Sequence, residues 1–195
     1  MLDLDPSNSL DTEAFREACD DFSTRRHLPE HPDTLSFLEA IGATRNGLLT
    51  KGGLLFLGAD DLIRRNLGDF EYRFSWKTPT GSLLVNDVWS GCIWNAVKRS
   101  RNHFGLCNRI EKFHHRDKEF VVPLLDEIAF HEAYLNALVH RDYSSEGMIS
   151  VNFTGDKIVI TSPGSFYGGV TAENIALHEP RHRNKTLARI PWYTI

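Results

Sequence analysis

The thirteen residues His131–Tyr143 (His-Glu-Ala-Tyr-Leu-Asn-Ala-Leu-Val-His-Arg-Asp-Tyr) constrain this chain more than any other stretch. Glu132, Asn136 and His140 recur at i, i+4 and i+8, so a helix stacks all three on one face. Ala129, Ala133, Leu135, Ala137, Leu138 and Val139 surround them with small or apolar groups, which predicts a buried helix carrying a polar stripe. A helix that only fills a core has no use for such a stripe. The Asn carboxamide oxygen is a hard ligand suited to Mg²⁺, and a Glu one turn earlier can take a proton from an attacking water. The same spacing also allows the three groups merely to satisfy one another or nearby backbone.

The rest of the chain places this helix in an α+β context. Asp11 is positioned to cap a helix from about Thr12 to Phe22, and Asp33 to cap one over Thr34–Ile41 that Gly42 ends. A turn at Arg45-Asn46-Gly47 precedes a short buried helix with Thr50 as its cap. The Gly52-Gly53 pair in that helix predicts close backbone packing and lacks the spacing of a phosphate loop. Glu71–Lys77 alternates aromatic and charged side chains as a half-buried strand does, and the turn Thr78-Pro79-Thr80-Gly81 follows. A helix is expected from about Val88 to His103, and short strands at Ile110–Phe113 and Phe120–Val122. The striped helix then runs from Leu124 or Leu125 to Arg141. Met148–Phe153 and Lys157–Thr161 read as a hairpin across Thr154-Gly155-Asp156. A glycine-rich loop over Ser162–Val170 leads to a short helix near Ala172–Leu177.

Charge and cysteine usage narrow the function classes. Seven acids in residues 1–21 against Arg16 leave −6 locally, while Lys98, Arg99, Arg101, Arg109, Lys112, Arg116 and Lys118 against Glu111 and Asp117 give residues 97–118 a balance of +5. That basic segment is a candidate nucleic-acid contact and equally a solvated helix face. Cys19, Cys92 and Cys107 are odd in number and widely spaced, as buried free thiols are. No stretch nears the roughly 18 apolar residues of a membrane span, and Met1–Pro6 lacks the pattern of a signal peptide, so the expected location is cytoplasmic. His114-His115 and the pair His178, His182 have metal-like spacing but no third ligand in sequence.

Beyond spacing, the run Glu132–Tyr143, the hairpin, Ile160-Thr161-Ser162-Pro163-Gly164, Arg183-Asn184 and Leu187-Ala188-Arg189 resemble a bacterial and archaeal family. Its members join an N-terminal Schlafen/AlbA-type DNA-binding domain to a module related to the GHKL ATPases, the Bergerat fold of histidine kinases and gyrase. Many are labelled transcriptional regulators or ATP-dependent helicase-related proteins. The resemblance covers residues 35 to about 190, and Gly47–Gly58 looks like the end of the Schlafen/AlbA-type region. It implies a small mixed αβ subdomain followed by a partial two-layer GHKL (Bergerat)-like α/β sandwich. The divisions would be an acidic segment and connector at 1–34, a Schlafen/AlbA-type part at 35–122 and an ATP-binding module at 123–195.

The resemblance further implies ATP and Mg²⁺ as cofactors, with Asn136 as the metal ligand and Glu132 as the catalytic base. Nucleotide contacts would fall to Asn136, His140, Arg141, Asp142, Ser162, Gly164, Gly168, Gly169, Arg183 and Asn184. Implied partners are an adenine nucleotide, DNA through the full-length protein or through 97–118, and a second copy of the chain. Two departures stand out. The wider superfamily carries an adenine-binding Asp followed by Gly-x-Gly after the hairpin, and nearer relatives have Asn-Pro-Gly-Gly, where this chain has Ser162-Pro163-Gly164-Ser165. The tail Ile190–Ile195, with Pro191 breaking the expected helix, lacks the next glycine motif, so the chain reads as a truncated product or excised fragment. The alternative function is a nucleic-acid-binding or scaffold fragment with a degenerate nucleotide site.

Overall fold

A computed structural model describes residues 1–190 except 79, 155, 156, 175, 176 and 180, together with the backbone but not the side chain of residue 115. The expected turn at Pro79, the hairpin tip at Gly155-Asp156, part of the Ala172–Leu177 helix and the tail beyond 190 therefore lie outside the described residues.

The first third of the chain is helical because its caps work. The Asp11 carboxylate accepts from the Ala14 N–H at 2.8 Å and opens α1 (Thr12–Arg25), and Asp33 accepts from Ser36 at 3.0 Å and opens α2 (Thr34–Ala40). Gly42, at φ +73°, turns the chain out of α2. Asn46 and Gly47 both adopt positive φ, which joins β1 (Thr44–Arg45) to β2 (Leu48–Leu49) by a two-residue turn whose twist suits a hairpin. Thr50 caps α3 (Lys51–Leu57) by accepting from Gly53 at 2.8 Å while its hydroxyl donates to the Ala43 carbonyl. A Cβ on Gly53 would collide with that same carbonyl, the close backbone packing its sequence predicts, and one on Gly52 would meet the Thr186 side chain. A further helix, α4 (Asp60–Asn66), lacks a side-chain cap.

A four-stranded mixed sheet follows, in the order β4-β3-β7-β8. β3 (Glu71–Lys77) pairs antiparallel with β4 (Leu83–Ser90) and parallel with β7 (Ile149–Phe153), which pairs antiparallel with β8 (Ile158–Thr161). The expected helix start at Val88 is corrected here, since Val88, Trp89 and Ser90 belong to β4. Gly91, at φ +117°, ends that strand, and the helix, α5, runs over Ile93–Cys107. β5 (Ile110–His115) and β6 (Lys118–Pro123) form a separate hairpin with Arg116 and Asp117 at positive φ. Then come α6 (Glu127–His140) and, after β8 and a long loop, α7 (Lys185–Arg189).

Alternation along the strands gives the sheet two unlike faces. Tyr72, Phe74, Ile149, Val151 and Phe153 are buried beneath α5 and α6, whose Phe104 and Phe130 rings stack at 4.2 Å. The opposite face is polar, with Arg73 bonded to Asn86 and Ser150 to Thr161. One continuous core links this layer to α1–α3, where Phe15 and Phe22 pack edge-on against Phe37. The result is the expected mixed α+β sandwich. Its sheet draws β3 and β4 from before residue 122 and β7 and β8 from after it. All three cysteines are buried free thiols. No helix among the described residues is long and apolar enough to cross a membrane.

Candidate functional site

Asp126 caps α6 through the Ala129 N–H at 2.8 Å, and Phe130, Tyr134, Leu135, Leu138 and Val139 form the side that packs on α5 and the sheet. Glu132, Asn136 and His140 are exposed. The expected buried helix with a polar stripe is found buried on one side only, and its polar stripe looks outward. The stripe splits at its last two members. Asn136 and His140 line a cleft of about 670 Å³, whereas Glu132 does not.

The loop after β8 forms the other wall. Ser162, Pro163, Gly164, Ser165, Phe166 and Tyr167 face α6, and Val170, His178, Glu179 and Arg181 complete the lining. The Ser162 hydroxyl donates to the Ala137 carbonyl at 2.7 Å, which pins the start of this loop onto α6. Gly164, at φ +116°, passes so near Asp142 that a Cβ would sit 2.8 Å from the Asp142 Cβ. Gly168 and Gly169 also hold positive φ, with Gly168 pressed against Arg181. Asn136 makes no side-chain hydrogen bond among the described residues, so its amide faces the cleft uncommitted.

The residues after the stripe act on the backbone. Arg141 is 1% exposed. Its guanidinium donates to the carbonyls of Asp142 and Gly147 and lies 4.8 Å over the Phe70 ring and 5.1 Å over Tyr143. Asn184 donates to the carbonyls of Val139 and Arg141 at 2.8 Å each, satisfying acceptors that the end of α6 leaves without helical partners. The Asp142 N–H donates to the Pro163 carbonyl, and its carboxylate accepts from Ser144 and, at 2.6 Å, from Arg183. These contacts, the Ser144 hydroxyl foremost, hold the Asp142 carboxyl below its ordinary range. Arg183 also donates to the Ser165 carbonyl and lies 4.9 Å over the Tyr167 ring. His140, Arg141, Asp142, Arg183 and Asn184 are thus brought together at one place, where the last four lock the cleft loop to the end of α6.

His140 stacks on His182 at 5.5 Å between ring centroids. Partial burial, and then the His182 charge, push the His140 imidazole below its usual value. Among the described residues no group of three or more His, Cys, Asp or Glu side chains could hold a metal. Sequence reasoning missed Phe166, Tyr167, Glu179 and Arg181, and it weighed His178 and His182 only as metal ligands. The signal for the aromatics was a Phe-Tyr pair inside a glycine-rich loop, where no core needs it.

With that geometry in place, three comparisons bear on the chain. Residues 146–192 match the family described as "Putative ATP-dependent DNA helicase recG C-terminal". The matched stretch holds β7, β8, the cleft loop and α7. No curated protein matches the chain significantly. Among solved structures, the DIP2311 protein from Corynebacterium diphtheriae is similar, with a TM-score of 0.75 and 21% identity over 98% of this chain and 40% of that one. At that identity the likeness shows a shared fold, and this chain spans two fifths of its neighbour's length.

The basic segment at 97–118 is largely neutralised. Lys98 pairs with Glu13 and Glu17, Arg99 with Asp87, Arg101 with Glu127, and Lys112 with Glu119. Arg109, Arg116 and Lys118 make no such pair among the described residues.

Proposed function

We propose that this chain is an adenine-nucleotide-binding module, with ATP and Mg²⁺ as its ligands, set within a longer DNA-binding regulator. The observation that carries the reading is the convergence of Asn136 and His140 with the aromatic, glycine-bearing loop of residues 162–170 on one cleft. A match of residues 146–192 to a family whose description names ATP dependence supports it. Phe166 and Tyr167 offer flat apolar faces for a base. The uncommitted Asn136 amide oxygen suits Mg²⁺, which takes few protein ligands and completes its shell with water and phosphate oxygens. Bound there, the ion would supply charge neutralisation for the phosphates.

The departure at Ser162 is consistent with this placement, because its hydroxyl proton is spent on the Ala137 carbonyl. Glu179 is the carboxylate among the described residues of the cleft lining. It can accept from an exocyclic amino group in place of the missing acid. Glu132 lies outside the cleft, so the geometry favours binding over hydrolysis. DNA contact is assigned to the full-length protein, since ion pairs already engage four of the seven cations in 97–118.

Isothermal titration of the folded protein with Mg-ATP tests the reading. Micromolar to millimolar binding is expected in the wild type, weakened about tenfold or more in Asn136→Ala, as loss of one charge-assisted contact implies. An absence of heat for every adenine nucleotide would sink it.

A further inference from the structure

Beside the cleft lies a second pocket of about 530 Å³, lined by Arg181, His182, Lys185 and Arg189 together with Tyr167, Gly168 and Ala188. No carboxylate among the described residues lines it. Lys185 and Arg189 stand at i, i+4, so α7 presents both on one side. Arg181, Lys185 and Arg189 pair with no acid among the described residues, although this acidic protein engages Arg16, Arg25, Arg64, Arg65, Lys98, Arg99, Arg101, Lys112 and Arg183 in ion pairs. Uncompensated cations gathered around one concavity create a positive potential that water alone answers poorly.

The two pockets adjoin. Tyr167 and Arg181 line both, and the His140–His182 stack bridges them, with His140 in the cleft and His182 in the basic pocket. A ligand that fills both has a flat, weakly polar end and an anionic end. We infer that the basic pocket holds the outer end of the nucleotide's polyphosphate, with Arg181, Lys185 and Arg189 as its counter-charges, while the base lies against Phe166 and Tyr167 in the cleft that Asn136 also lines. The inference rests on the nucleotide reading and adds a direction to it: the phosphates run toward α7. Lys185 and Arg189 are then the residues that distinguish a nucleotide from a nucleoside.

The test uses three probes, ATP, adenosine and inorganic tripolyphosphate, titrated into the wild type and into Lys185→Ala/Arg189→Ala. Both positions are exposed. An unchanged circular dichroism spectrum and melting temperature establish that the variant is folded, and Lys185→Arg/Arg189→Lys serves as the charge-keeping control. Tripolyphosphate is expected to bind the wild type and compete with ATP. The double Ala variant should weaken ATP and tripolyphosphate by about tenfold per lost cation while adenosine is unaffected, and the charge-keeping variant should restore both. If ATP binds the double Ala variant as well as the wild type, the phosphates lie elsewhere and the inference falls while the nucleotide reading stands. If neither ATP nor adenosine binds the folded wild type, the nucleotide reading itself falls and takes the inference with it.

Discussion

A buried arginine without a carboxylate partner needs another source of stabilisation, because an uncompensated charge is expensive to bury. Arg141 finds it in two backbone carbonyls and two aromatic faces, Phe70 and Tyr143. Burial pulls its pKa down from the ordinary arginine value, yet the guanidinium keeps its charge. Arg141→Ala is expected to cost about 3 kcal/mol, through lost carbonyl bonds and lost ring contact, read as a shift in the urea midpoint. Arg141→Lys should recover less than half of that, since an ammonium cannot reach both carbonyls and also stack. A midpoint within experimental error of wild type in either variant contradicts this account. His140 adds a pH dependence. Its folded pKa is depressed, so below about pH 6.5 the unfolded chain takes up the proton more readily than the folded one. The corresponding stability is complete above that pH and is lost as pH falls through the folded value. The melting temperature should therefore drop less between pH 7.5 and pH 5.5 in His140→Gln than in the wild type, and equal drops would count against the assignment.

At the scale of elements, the chain announced those whose signals are local. Asp11, Asp33 and Thr50 each sit one residue before a helix they cap, and the alternation in Glu71–Lys77 gives β3 its two faces. β4 was hidden because Val85, Val88 and Trp89 fall at i, i+3, i+4 and imitate the apolar face of the helix that follows. What settles them as strand is pairing with β3, a contact that no local pattern encodes. α4 was hidden because it has no cap side chain and few apolar positions, Leu62 and Ile63 among them. The cleft divides the same way. Asn136 and His140 follow from helical period, whereas Phe166, Glu179 and Arg181 reach it from a loop that has none. The β5–β6 hairpin was legible as strands, but not its isolation. Phe113, Phe120 and Val121 are each about half exposed or more, and the two strands pair only with each other among the described residues. A lone two-stranded hairpin is marginally stable in water. Its amides should exchange with solvent at least about a hundredfold faster than those of β3 and β7, and equal protection would show that something else supports it.

At the scale of the whole molecule, the two charged stretches of the sequence meet at Lys98. The acidic N-terminal segment does not float free: Glu17 accepts from the Trp94 indole and from Lys98, and Glu13 also pairs with Lys98, so α1 is strapped along α5. Of the basic segment's cations, Lys98 is thus spent on an internal seam, while Arg99, Arg101 and Lys112 pair with acids elsewhere. That seam carries a pH signature of its own. The Lys98 hydrogen bond, with help from the Trp94 indole and against the cost of burial, holds the Glu17 carboxyl below its ordinary value. A depressed acid favours the folded state above its unfolded pKa of about 4.3, and the contribution disappears as pH falls through the folded value. With a quarter of its side chain exposed, the Glu17–Lys98 pair is worth no more than about 1 kcal/mol. Glu17→Gln should thus be less stable than wild type by up to that amount at pH 7 in low salt, and the gap should narrow both toward pH 3, as the wild-type carboxylate takes up its proton, and at high ionic strength, where the pair is screened. Denaturant titrations of the two proteins at both pH values decide it: a gap that persists unchanged at pH 3 would mean that Glu17 holds α1 on α5 by shape rather than by charge.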